Sequence, residues 1–110
     1  SRPVKMEKDR NNNIYVLDKE MKSILKYDNL GNYLSTLSIM NLESFSISGD
    51  ILYMLSNKEI VLYNLNKNSI ISTKIIPSKD VKKKFREILI LNNKKYFLLG
   101  KNSISLWQEN

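Results

Sequence analysis

The chain of 110 residues contains neither cysteine nor histidine. The first absence excludes disulfides and thiolate chemistry, and the two together remove the central residues of Ser-His-Asp and Cys-His arrangements and of the common transition-metal sites. Glycine (3) and proline (2) are scarce, and no glycine-rich phosphate loop is present. No apolar run approaches the ~18 residues that a membrane-spanning helix requires. No basic and apolar leader precedes the first strand, so a targeting segment is expected to have been removed or never to have belonged here. The carboxylates lie singly in turns, with no pair set in an apolar run where burial would raise a pKa. No active site wholly within the chain, and no cofactor, is therefore expected.

What is abundant is Lys, Asn and Ile. Eighteen Lys and Arg stand against 11 Asp and Glu, for a net charge of +7, a balance that favours acidic partners such as nucleic acid or anionic polymers. The length suits one modest domain with a real core. With so little glycine, Asn is expected to do much of the turn work, because its side chain bonds nearby backbone and it tolerates left-handed conformations.

The organising feature is a repeat. Ile24-Leu25-Lys26-Tyr27-Asp28 returns as Ile60-Val61-Leu62-Tyr63-Asn64 and as Ile104-Ser105-Leu106-Trp107-Gln108, always with an aliphatic first and an aromatic fourth. Each copy follows an apolar run, at residues 14–17, 52–55 and 96–99, that ends in a short polar turn. Two strands and a tight connection thus occur three times, spaced by 36 residues (24 to 60) and 44 residues (60 to 104). Such a period points to a repeat architecture. Flanking strands are expected at residues 3–8, 33–39, 42–48, 70–76 and 87–91, with Pro77 ending one of them because it offers no donor to a ladder. The extra length before the third copy, residues 78–84, is polar and basic. Ser78 is expected to cap a single helical turn running to about Phe85, with Val81 and Phe85 four apart on one side.

Four-stranded antiparallel units of about 40 residues, unable to bury both faces alone, are the blades of a β-propeller. Residues 9–18, Asp-Arg-Asn-Asn-Asn-Ile-Tyr-Val-Leu-Asp, followed by Ile24 to Asn32, resemble an NHL-type repeat. Gly100-Lys101-Asn102-Ser103-Ile104-Ser105-Leu106-Trp107 is similar to the end of a WD-type blade, with Gln108 where that family has Asp. The NHL likeness fades in the later units, where Ser56 and Gly100 replace the strand-ending Asp. The expectation is an all-β partial propeller with blades at about residues 3–39, 42–76 and 85–108, the last lacking its fourth strand. Fewer than four blades do not close a ring. Further blades, or self-association into a six-bladed ring, are therefore expected to cover the end blades.

In such blades the connections between blades and those between second and third strands emerge on one face. That face collects Lys79, Lys82, Lys83 and Lys84 from the first kind of loop and Lys19, Lys22, Lys58 and Lys101 from the second. They outnumber Asp18, Glu20, Glu59 and Asp80, and together form a candidate site for phosphate or carboxylate groups. The competing reading is a solvated lysine surface. None of these loops holds an aromatic for base stacking, which argues against single-stranded nucleic acid. Asp9, Asn11, Asn13 and Glu20 have calcium-loop spacing, but Ile14 occupies the place that loop gives to Gly, so an Asn-rich hairpin turn is expected instead. The tyrosines at 15, 27, 53, 63 and 96, with Trp107, are expected to pack between blades. The function these features imply is a non-enzymatic interaction scaffold for a protein or peptide. Two alternatives are a basic face for an acidic polymer such as RNA, and the structural part of a larger propeller enzyme.

Overall fold

The computed structural model describes residues 5–92 and 94–108. They form three antiparallel meanders. In the first, β1 (Met6–Lys8), β2 (Ile14–Asp18), β3 (Ser23–Tyr27) and β4 (Tyr33–Leu37) pair in sequence order. The second contains β5 (Leu42–Ser48), β6 (Ile51–Ser56), β7 (Glu59–Asn64) and β8 (Ser69–Ile75), again in order. A single helical turn, α1 (Ser78–Val81), leads to the third, made of β9 (Glu87–Asn92), β10 (Lys95–Leu99) and β11 (Ile104–Gln108). Pro3 and Val4, expected to open the first strand, lie outside the described residues, as does Asn93 of the turn expected after β9.

Side chains that bond their own turn explain where the strands stop. Asp9 Oδ1 accepts the backbone N–H groups of Asn11 (2.9 Å) and Asn13 (3.0 Å). Asp28 does the same for Leu30 and Asn32, both at 2.9 Å, and Asn64 for Asn66 and Lys67, both at 2.9 Å. Ser56 Oγ closes the tight connection of Asn57 and Lys58 by accepting from Lys58 and Glu59. Asn12, Asn41 and Asn68 take positive φ values, so Asn supplies the left-handed positions that glycine fills elsewhere.

The repeat holds rung by rung. Tyr27 pairs with Ile14, Tyr63 with Leu52 and Trp107 with Tyr96, each near the start of the second strand of its meander. Ile24, Ile60 and Ile104 sit opposite Leu17, Leu55 and Leu99. Because strand side chains alternate, the Ile and the aromatic three places on point to opposite faces.

Those faces build two cores. Tyr15, Leu17 and Ile24 of the first meander close on Leu52, Met54 and Val61 of the second, with Phe45 between them. Tyr53, Leu55, Ile60 and Leu62, from the other face of the second meander, close on Ile88, Tyr96 and Leu98 of the third. The middle meander is therefore covered on both sides, which is why β6 reads as an unbroken apolar run in the sequence. Tyr53 and Tyr96 meet across the second junction with ring centroids 5.5 Å apart, and Tyr96 stacks on Trp107 at 6.4 Å. Tyr27 lies on the outer side of the first meander, edge-to-face with Tyr33.

Two local expectations are corrected. The helical turn is preceded by Pro77 rather than capped by Ser78, and no side-chain hydrogen bond caps it. It ends at Val81, and Phe85 reaches the second core from the segment beyond it. The fourth strand stops at Leu37 rather than 39, because Ile39 leaves the ladder to pack on the first core.

Candidate functional site

In an antiparallel meander every second connection emerges at the same end, so the eight lysines predicted from the sequence all lie there. Lys19 and Lys22 belong to the β2–β3 turn, Lys58 to the β6–β7 turn and Lys101 to the β10–β11 turn, while Lys79 is in α1 and Lys82 to Lys84 follow it. Only half of them converge. A groove of about 430 Å³ is lined by Lys82, Lys83, Lys84 and Lys101 together with Arg86, Asn102 and Ser103. A second concavity of about 250 Å³ shares Lys84 and Arg86 and adds Glu43, Asn57, Val81 and Phe85. Lys19, Lys22, Lys58 and Lys79 line neither.

The groove exists because the basic segment is pinned to the third meander. Phe85 is buried in the second core, and the N–H of Arg86 donates to the Leu99 carbonyl at 2.8 Å. Lys84 takes a positive φ of 49°, which turns the chain from the helical segment into this contact. Gly100 faces it at close range. A Cβ there would lie 2.4 Å from the Lys83 carbonyl oxygen and 2.9 Å from Ser103 Oγ, so glycine is what lets the two segments meet.

The charges in the groove are mostly uncompensated. Lys83 Nζ pairs with Asp80 at 2.9 Å. Among the described residues no carboxylate pairs with Lys82, Lys84, Arg86 or Lys101. Four cations around one concavity attract an anion, and Arg adds a planar fork suited to carboxylate or phosphate oxygens. Sequence reasoning missed Arg86, although its place as the next charge after Lys84 is a signal that could have found it. Asn102 and Ser103 gave no signal, because their place depends on how β11 turns back.

A second polar cluster, with no signal in the sequence, lies where the first strands of the three meanders approach one another. Lys5 Nζ donates to Glu87 Oε2 at 2.8 Å and to Ser44 Oγ at 3.1 Å, and Ser44 Oγ donates to the same carboxylate oxygen at 3.1 Å. Glu7 Oε1 accepts the Ile47 N–H at 2.8 Å. These contacts tie the inner strands together.

The calcium-like spacing at Asp9 serves the hairpin. Besides the two backbone donors, Asp9 Oδ2 accepts from Tyr15 Oη at 2.8 Å and Asn13 Nδ2 at 3.2 Å. Burial works to raise the Asp9 pKa, but the hydrogen bonds from Tyr15, Asn13 and Asn11 outweigh it and hold the carboxyl below its ordinary value. Burial, reinforced by the bond to Asp9, pushes the Tyr15 hydroxyl up.

No family model matches the chain, and no curated protein matches it. Solved structures do. Hsv2 from Kluyveromyces lactis is similar with a TM-score of 0.64 at 11% identity, over 100% of this chain and 34% of that one. YCF48, solved bound to D1 peptide, is similar with a TM-score of 0.65 at 16% identity, over 100% of this chain and 38% of that one. Both are β-propellers. The chain thus spans little more than a third of the length of the structures it matches, and its three sheets have the fold of propeller blades.

Proposed function

We propose that this chain is a non-enzymatic β-propeller segment acting as an interaction scaffold, with an acidic peptide or protein segment held in the groove of Lys82, Lys84, Arg86 and Lys101. The observation that carries this reading is the concentration of those four cations, without carboxylate partners among the described residues, around one concavity at a blade junction. The likeness to YCF48, a propeller solved with a peptide, supports a peptide as the ligand class. The groove lining contains no aromatic ring, which favours a peptide over RNA. The first blade, with Asp9 holding Tyr15 and the Asp28 turn, supports an NHL-type ancestry for the repeat.

The test is binding of an Asp- and Glu-rich peptide, followed by fluorescence anisotropy beside an RNA oligomer of equal length. The expected result is that Lys84→Glu with Arg86→Glu weakens peptide binding at least ~10-fold, in keeping with loss of charge-assisted hydrogen bonds. Lys67→Glu, in the β7–β8 turn at the opposite end, leaves it unchanged. Indifference to the double reversal, or tighter binding of RNA than peptide, contradicts the proposal.

A further inference from the structure

The second concavity holds a charge of the opposite sign, and an irregularity of the backbone puts it there. In the β5–β6 ladder Leu42 pairs with Ser56 and Ser44 with Leu55, so Glu43 is an extra residue between two rungs. This bulge lets Leu42 and Phe45, three apart in sequence, enter the same first core. It also frees Glu43 from the alternation of its strand, and Glu43 lines the concavity of about 250 Å³ with Asn57, Val81, Lys84, Phe85 and Arg86. Glu43 is half-buried there. Among the described residues no cation pairs with its carboxylate, although Lys84 and Arg86 line the same concavity. The concavity and the basic groove adjoin at Lys84 and Arg86, which belong to both. The combined site therefore has a cationic stretch and, next to it, a single carboxylate without a partner among the described residues.

We propose that the site reads charge of both signs: a peptide whose acidic block fills the groove sets a lysine or arginine side chain of its own against Glu43. This inference rests on the peptide reading of the groove, and it makes Glu43 the residue that determines specificity. A segment that is acidic throughout meets repulsion where it passes Lys84 and Arg86 towards Glu43, whereas a cation at that point gives the carboxylate its partner. The amide oxygen of Asn57, in the same wall, is a further acceptor suited to an ammonium or guanidinium group. Because Glu43 is half-buried, the pair is screened by salt less than one on open surface. The selectivity runs against net charge. Adding lysines to an acidic peptide weakens its general attraction to a chain of net charge +7, so a preference for the peptide that carries them needs a local carboxylate.

Fluorescence anisotropy with a pair of peptides tests it. Both carry the same short block of Asp and Glu, flanked at each end by Lys in one peptide and by Gln in the other, so that the direction of the bound chain is immaterial. Acetylated and amidated ends leave the lysines as the only cations. The wild-type chain is expected to bind the lysine-flanked peptide about 5-fold more tightly, the scale of one ion pair at a partly exposed site. Glu43→Gln, with circular dichroism to confirm that it stays folded, is expected to abolish or reverse this preference. It weakens binding of the lysine-flanked peptide and leaves the glutamine-flanked one bound as tightly or more so. Equal binding of the two peptides by the wild-type chain, a preference for glutamine, or a lysine preference that survives Glu43→Gln each overturns the inference. In those cases loss of both peptides on Lys84→Glu with Arg86→Glu shows that the groove still takes a peptide. Absence of binding by either peptide overturns both readings.

Discussion

Tyr15 shows how a single residue joins turn chemistry to the core. Its ring is buried in the first junction, and its hydroxyl donates to the Asp9 carboxylate that organises the preceding hairpin. Tyr15→Phe keeps the ring and removes the bond, so it is expected to cost about 1 kcal/mol in denaturant unfolding. The pH dependence has two limbs. Asp9 is held below its ordinary pKa in the folded state, so its contribution is complete above about pH 4 and is lost as pH falls through the lower folded value. Tyr15 is held above its ordinary value, so stability falls as pH rises past about 10, where the unfolded chain ionises first. Unfolding of Tyr15→Phe as a function of pH is expected to show a shallower alkaline limb. Ser23 is the opposite case, since its buried Oγ has no hydrogen-bond partner among the described residues. Ser23→Ala is expected to be neutral or stabilising in the same assay, because it removes a desolvated hydroxyl without a partner among the described residues.

At the scale of elements, the contrast between covered and edge strands sets the cost of substitution. Ile60 of β7 is sealed in the second core, whereas Ile70 of β8 lies on the outermost strand of the middle meander and is exposed. Ile60→Ala is expected to cost roughly 2–5 kcal/mol. Ile70→Ala is expected to stay within about 0.5 kcal/mol. The strands themselves were legible because a period of two, an Ile-to-aromatic motif and Asp, Asn or Ser at each turn all agree in the sequence. The tertiary terminators were not. Ile39 and Phe85 look like continuations of their elements, and only the cores they enter show why the strand and the helix stop before them. The site was half legible for the same reason. Lys82 to Lys84 announce a basic loop, but its convergence with Lys101 depends on Gly100 admitting the Lys83 carbonyl. Gly100→Ala is expected to cost about 1–3 kcal/mol by overpacking. It should also weaken peptide binding in the anisotropy assay, though it alters no charge.

The whole molecule is a curved stack in which the middle meander supplies one face to each of two cores. Face assignments, not individual strands, decide the architecture: a shift of one residue in any meander would turn its apolar set to the wrong neighbour. The propeller likeness follows from that stacking, and the basic groove follows from the second junction. The most direct test is nuclear Overhauser spectroscopy on the chain with its six tyrosines isotopically labelled. Cross-peaks are predicted between the rings of Tyr53 and Tyr96, 5.5 Å apart across two meanders, and between Tyr27 and Tyr33, 6.1 Å apart within one. A spectrum with the second contact and without the first would show meanders that form but do not stack, and would contradict the account.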